Sequence, residues 1–262
     1  NDIPFKIEKE TNNIEYDNQI ISLIQQSRKP VLILGLENLI EDTSEVIYQI
    51  TNTLNCPTLV TYKAKGIISD KDNNLVGIFT GGRAEQIVVK ESDLIILIGL
   101  DPVELILQPW PYDIPVLNIS LINHKVHYVN AEADLLGNLN FNLNRYLKYF
   151  TKSEWKKSEI KFFKDEIKSK LIFPSNNLLN PQSIVENAQA FSKNNPRISI
   201  DAGAHMFSAT AFWNASKPFD VLISNGLATM GFALPAAISS ALESPERGAI
   251  AFTGDGGFMM CC

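Results

Sequence analysis

Cysteine is scarce in this chain, and the cysteines it has are not arranged as a scaffold. Cys56, Cys261 and Cys262 form an odd set without framework spacing, which excludes a disulfide-stapled fold and points to a reducing compartment. The adjacent Cys261 and Cys262 read as small apolar residues buried at a helix start rather than as a metal or redox pair. No apolar run approaches the ~20 residues of a membrane span. Residues 1–10 carry neither a basic n-region nor an apolar stretch, so no secretory leader is visible. Basic runs are also lacking. Lys152–Lys170 is interleaved with acids and reads as a solvated helix face, and the net charge of −6 argues against nucleic acid as a partner. No GxGxxG follows any strand-like run, which weakens a nucleotide-dependent oxidoreductase. There is no internal repeat and no low-complexity stretch.

What is present is an ordinary globular composition, 45% hydrophobic and 20% charged over 262 residues, enough for one large or two moderate domains. Ile14–Ser27 has helical periodicity, followed by Pro30 and the continuous apolar run Val31–Leu36, which fits a strand covered on both faces. Asp42 and Glu45 have capping-box spacing, ahead of a helix carrying Val46, Ile47, Ile50 and Leu54. Thr58–Thr61 reads as a short strand, Ala84–Lys90 as a short helix, and Leu94–Leu100 and Pro115–Ser120 as strands. Strands alternating with helices predict a parallel α/β sheet over residues 1–149.

Residues 150–179 break the pattern. Trp155, Phe162, Phe163 and Ile167 predict a helix of roughly 19 residues, about 28 Å long, as a linker between two domains. A second α/β unit over 180–262 opens with Asn180 as N-cap and Pro181 at N1. Its helix is expected to bury Ile184, Val185, Ala188 and Phe191. Strands follow at Arg197–Asp201, Val221–Ser224 and Gly248–Thr253. The last of these has a bare edge near Cys262, so the unit reads as incomplete. The fold class is therefore α/β, with two parallel-sheet three-layer domains, the first Rossmann-like.

Candidate chemistry concentrates in the second unit. Three segments are expected at the C-terminal ends of adjacent strands, where open α/β sheets bind ligands. They are Asp201-Ala202-Gly203-Ala204-His205, Ser224-Asn225-Gly226-Leu227-Ala228-Thr229-Met230-Gly231, and Gly254-Asp255-Gly256-Gly257. In the third, glycines bring bare N–H groups beside one carboxylate. Glycine-rich backbone at a helix start suits a diphosphate. The carboxylate beside it calls for a cation between the two, and Mg²⁺ takes oxygen ligands from both. Read alone, Asp255 is better taken as a helix N-cap and Met230 as a core residue, while His205 is equally a helix-start hydrogen-bonding group. His124 and His127 sit near a strand end with no third metal ligand in view.

The stretch SNGLATMGFALPAAISSALESPERGAIAFTGDGGFMM, preceded by Asp201, Gly203 and His205 in a D-x-G-x-H pattern, resembles the diphosphate domain of thiamine-diphosphate enzymes. Among these it is most similar to the acetolactate synthase large-subunit group. The resemblance implies that Asp255 coordinates Mg²⁺ and that Gly254, Gly256 and Gly257 meet the diphosphate beside Gly203, Ala204 and His205. It implies that the backbone at Gly226, Ala228 and Met230 faces the aminopyrimidine, with the Met230 side chain supporting a bent cofactor. The first unit resembles the family's middle domain, which holds FAD in flavin-dependent members. Here Phe79–Ala84 and Ile98–Pro102 occupy the corresponding loops. DPVELILQPWPY stands in place of the usual arginine- and aspartate-rich run, and this speaks against FAD.

The resemblance further implies a cytoplasmic thiamine-diphosphate- and Mg²⁺-dependent lyase or transferase that decarboxylates or carboligates a small 2-oxo acid. It implies a homodimer or homotetramer, with no nucleic acid or membrane partner. The family's catalytic glutamate would precede Asn1, and its asparagine metal ligands would follow Cys262. The chain alone is therefore expected to be inactive. Asp255→Ala is expected to weaken cofactor binding more than Asp201→Ala. The competing reading is a non-catalytic binding or assembly subunit that keeps the fold.

Overall fold

The computed structural model describes residues 14–105, 109–124, 129–174, 179–224 and 227–261. After α1 (Ile14–Gln26), the first unit runs β1 (Pro30–Leu34), α2 (Ser44–Leu54), β2 (Thr58–Val60), β3 (Leu75–Ile78), α3 (Gln86–Val89), β4 (Leu94–Ile98), β5 (Val116–Ser120), β6 (Ala133–Leu136) and α4 (Leu139–Tyr146). All six strands are parallel, in the order β3-β2-β1-β4-β5-β6. The chain builds outward from β1 to β3, then crosses back to β4. Right-handed crossovers taken in opposite directions place α2 and α3 on opposite faces. Both faces are thus covered, and β1, β4 and β5 are buried at every residue. This is the physical reason that β1 and β4 are continuously apolar; β5 buries the polar Asn118 and Ser120 as well, whose side chains donate to Asp134 and Glu37.

Four expectations are corrected. Two strands were not foreseen, β3 and β6. Both are sheet edges, four residues long and only partly buried, so neither shows a buried run. The start of α2 is capped differently. Its N-cap is Thr43, which makes no side-chain cap, while Asp42 sits in the left-handed region at φ 45. Thr43 instead donates its hydroxyl to the Asn38 side-chain oxygen at 2.7 Å.

The third correction concerns the expected linker. The helix is α5 (Lys157–Ser169), 13 residues or about 20 Å long, and it packs on β3. Ile160, Phe163 and Ile167 enter the first core, as does Trp155, which precedes the helix. The Trp155 indole donates to the Pro30 carbonyl at 2.8 Å. Ile167 fills the space over Gly77, where an added Cβ would lie 3.0 Å from its Cγ2. The fourth concerns Cys261, which is exposed and follows the last helix rather than starting one. Cys262 lies outside the described residues.

The second unit comprises α6 (Pro181–Phe191), β7 (Arg197–Ile200), α7 (Ala204–Phe212), β8 (Val221–Ile223), α8 (Ala233–Glu243), β9 (Ala249–Phe252) and α9 (Asp255–Met259). Its parallel sheet has the order β8-β7-β9. Asn180 caps α6 as expected, accepting from the Ser183 N–H at 2.8 Å. Of the expected apolar stripe, Val185 is buried and Ala188 partly packed, whereas Ile184 and Phe191 are exposed. The helix packs against α7, which covers only part of that stripe.

The two units meet through backbone. Asp70 N–H donates to the Ala215 carbonyl at 3.0 Å, and Ala215 N–H donates to the Asp70 carboxylate at 2.6 Å. Gly66, at φ 98, lies so close to Lys217 that an added Cβ would sit 2.1 Å from its carbonyl oxygen. Tyr62 joins the second core and meets Phe207 edge-on at 6.3 Å.

Candidate active site

Because β7 lies between β8 and β9, the three loops singled out in the sequence emerge side by side at one edge of the sheet. Asp201, one residue past β7 and 1% exposed, ties them together. Its carboxylate accepts from Gly231 N–H at 3.1 Å in the loop after β8 and from Ala233 N–H at 2.6 Å at the start of α8. From the end of β9 it accepts the Thr253 hydroxyl at 2.5 Å. Burial is the largest influence on this carboxyl and pushes its pKa up. The hydrogen bonds from Thr253, Ala233, Gly231 and Phe232 together outweigh it and hold the pKa below the ordinary 3.8.

Asp201 also explains a glycine. An added Cβ on Gly257 would lie 2.2 Å from the Asp201 Oδ2, so this buried position admits no side chain. By resemblance Gly257 meets a diphosphate, and Asp201 ranks beneath Asp255 for cofactor binding. The missed signal is a carboxylate placed directly after the buried strand RISI, where it must find partners or stay neutral.

The other candidates stand around this tie. Gly203 is the N-cap of α7, whose first turn at Ala204 and His205 has N–H groups without intrahelical acceptors. The His205 ring lies between Gly203 and Gly254. Added Cβ atoms there would be 2.6 Å and 3.8 Å from its Cε1, and its Nε2 is buried without a hydrogen-bond partner. Asp255 is exposed at the first position of α9 and accepts from the Gly256 N–H at 2.9 Å. Met230, 44% exposed, reaches over Gly256, where an added Cβ would lie 3.2 Å from its Cε. Ala228 adopts a left-handed backbone at φ 47, which a non-glycine residue takes only where its surroundings impose it. Gly226 lies outside the described residues.

The corresponding edge of the six-stranded sheet is built differently. The Glu104 carboxyl accepts from Leu36 N–H at 2.7 Å, from Asp101 N–H at 3.3 Å and from the Thr61 hydroxyl. Burial pushes its pKa up to about 8 against these bonds, with the Asp101 charge adding to the rise. Glu37 accepts from Leu121 N–H at 2.8 Å and from the Ser120 hydroxyl, and pairs with His124 Nε2 at 2.8 Å. Burial pulls the His124 pKa down, but the hydrogen bond and charge of Glu37, aided by Asp101 and Glu104, leave it raised. His127 lies outside the described residues. Among the described residues no three His, Cys, Asp or Glu side chains are grouped to hold a metal.

A cleft of about 540 Å³ lies between the units, lined by Lys65, Lys164, Trp213 and Asp220 among others. None of the loop residues tied by Asp201 lines it, and it is separate from the candidate site. No helix among the described residues is long and apolar enough to cross a membrane.

A Rossmann-ordered sheet, followed by a second parallel sheet with a glycine-lined polar edge, finds its counterpart in known families. Residues 18–140 match the thiamine pyrophosphate enzyme central domain, and residues 201–262 match the thiamine pyrophosphate enzyme C-terminal TPP binding domain. The chain belongs to the thiamine pyrophosphate enzymes. Within them it is similar to the acetolactate synthase of Bacillus subtilis (strain 168), 23% identical over 252 residues, covering 91% of this chain and 44% of that protein. The probable acetolactate synthase large subunit of Methanococcus aeolicus is 26% identical over 267 residues, covering 92% of this chain and 44% of the relative. A putative thiamine pyrophosphate-containing protein, YdaP of Bacillus subtilis, is 26% identical over 252 residues, covering 90% and 42%. The chain thus spans less than half the length of these curated relatives.

Proposed function

We propose that the edge tied by Asp201 holds the diphosphate of thiamine diphosphate with its Mg²⁺, in a cytoplasmic enzyme that decarboxylates or carboligates 2-oxo acids. One observation carries this reading. A buried carboxylate joins three loops, and at the same edge stand an exposed carboxylate, Asp255, and a buried ring nitrogen without a partner, His205 Nε2. Such an unpaired donor or acceptor is costly to bury unless a ligand meets it. The residues present fit the group.

Asp255 would ligate the Mg²⁺, which takes oxygens from carboxylate and phosphate together. Gly203, Ala204, His205, Gly254, Gly256 and Gly257 would flank the diphosphate. Gly226, Ala228 and Met230 would lie on the aminopyrimidine side. When bound, the cofactor supplies an electron sink for the carbanion left by decarboxylation or C–C cleavage. The chain's part is binding and orientation, and the tie at Asp201 limits how far the three loops can separate. The family's proton-delivering glutamate matches no residue here. We assign it to an N-terminal domain of a neighbouring subunit, so the site is completed in a homodimer or homotetramer.

The test uses protein expressed from the full reading frame. Calorimetry should show thiamine diphosphate binding that depends on Mg²⁺ and is sharply weakened in Asp255→Ala, and the protein should consume pyruvate. Residues 1–262 expressed alone should not. Equal cofactor affinity in Asp255→Ala and the parent would sink the assignment.

A further inference from the structure

In open α/β sheets a dinucleotide lies across the crevice where strand order reverses, with its pyrophosphate on free backbone N–H groups. Here that reversal falls between β1 and β4. It is the place where FAD, which the resemblance associates with this domain, would be expected to sit.

We infer that this edge is closed to FAD and to any other dinucleotide, because the chain's own glutamates occupy the N–H donors that a diphosphate would need. The closure can be followed strand by strand. Past β1, Leu36 N–H goes to Glu104 at 2.7 Å. Past β3, Thr80 and Gly82 N–H both go to Glu85, each at 2.8 Å. Past β4, Asp101 N–H goes to Glu104 at 3.3 Å, and past β5, Leu121 N–H goes to Glu37 at 2.8 Å. At the start of α4, past β6, Leu139 and Asn140 N–H go to Glu41 at 2.7 Å and 3.2 Å. Past β2, the Thr61 hydroxyl is taken by Glu104.

The crevice itself is shut backbone against backbone. An added Cβ on Gly35 would lie 2.4 Å from both Gly99 O and Leu100 Cα. Asn38, fully buried, bridges the gap by donating to Gly35 O at 2.9 Å and Ile98 O at 2.6 Å. Glu37, Glu85 and Glu104 are themselves buried. A diphosphate arriving here would have to displace carboxyl groups that have no water to turn to. The two sheets thus differ at equivalent edges: at the first the backbone N–H groups named above are taken by glutamates, although Trp110 Nε1 and Tyr112 OH beside Phe79 are buried without a partner among the described residues, and the second keeps an unpartnered ring nitrogen and an exposed carboxylate.

The inference is independent of the thiamine-diphosphate reading, and each can fail without the other. The experiment is amide hydrogen exchange on protein from the full reading frame, with and without an excess of FAD and, separately, of ADP. Exchange in peptides covering residues 35–38, 80–85, 99–104, 120–121 and 138–140 is expected to stay unchanged, whether or not ligand protects other regions. New protection in those peptides with either ligand overturns the inference. So does a co-purified flavin whose removal deprotects them.

Discussion

Asp201→Asn is the sharpest single test of how the site is held. The change keeps the size of the side chain but turns one acceptor oxygen into an NH₂. With the remaining oxygen kept on Ala233 N–H, now at 2.6 Å, the NH₂ faces Gly231 N–H at 3.1 Å and the Thr253 hydroxyl. Thr253 can turn and accept, but Gly231 cannot, so one buried N–H is orphaned at about 1–3 kcal/mol. Loss of charge assistance at Ala233 raises the expected destabilisation to about 2–4 kcal/mol. The sign with pH is fixed by the depressed pKa. The parent's contribution is present above the ordinary value of 3.8 and is lost as pH falls through the folded value. The gap between parent and variant should therefore close in acid. Urea unfolding at neutral and acid pH measures this, and calorimetry measures thiamine diphosphate affinity, expected to fall roughly tenfold or more if 1.4 kcal/mol of the tie is felt by the ligand. Parent-like stability and affinity in Asp201→Asn would refute the tie.

Asp255→Asn should behave oppositely, losing Mg²⁺-dependent cofactor affinity while the urea midpoint stays put, since Asp255 is exposed and, among the described residues, its side chain bonds its neighbour Gly256; a shifted midpoint would count against a purely ligand-facing role. Gly257→Ala should be destabilised like Asp201→Asn, because its new Cβ would meet Asp201 Oδ2 at 2.2 Å, and a stable, active variant would contradict the packing. Met230→Ala should lower turnover more than affinity with little change in melting temperature, the side chain being 44% exposed; unchanged turnover removes Met230 from the site. Glu104 has a folded pKa raised from 4.5 to about 8, so its contribution is complete below 4.5 and lost as pH rises through about 8. His124, also raised, acts in the same direction. The resulting fall in stability, on the order of a few kcal/mol, should flatten in Glu104→Gln, and parallel pH profiles for parent and variant would refute the assignment.

The sequence was legible where one physical demand dominated. β1 and β4 are buried on both faces, so their residues had to be apolar throughout, whereas β5, equally buried, carries Asn118 and Ser120 held by hydrogen bonds. β3 and β6 answer to half-exposed edges, and Gly77 is there to admit Ile167 from a helix far along the chain. No local pattern encodes that contact. At the candidate site the glycines and Asp255 were visible because their types are unusual at a strand end. Asp201 was visible as a motif letter only. Its partners Gly231, Ala233 and Thr253 lie 30 to 52 positions away, and only the sheet order brings them within reach. The four glutamates on the first sheet's edge were illegible for the same reason, since Glu104 serves N–H groups 68 and 3 positions away.

The placement of α5 bears on where this protein can be cut. Residues 18–140 mark the central domain by family likeness, yet Trp155, Ile160, Phe163 and Ile167 are side chains of that same core. Removing them would uncover β3 and strip roughly 1.5–3 kcal/mol per side chain. Against a total of about 5–15 kcal/mol for a domain, that is enough to unfold it. A central domain prepared by itself should therefore run through Ser169. A shorter version is expected to be insoluble for want of a helix that sequence likeness alone assigns to no domain.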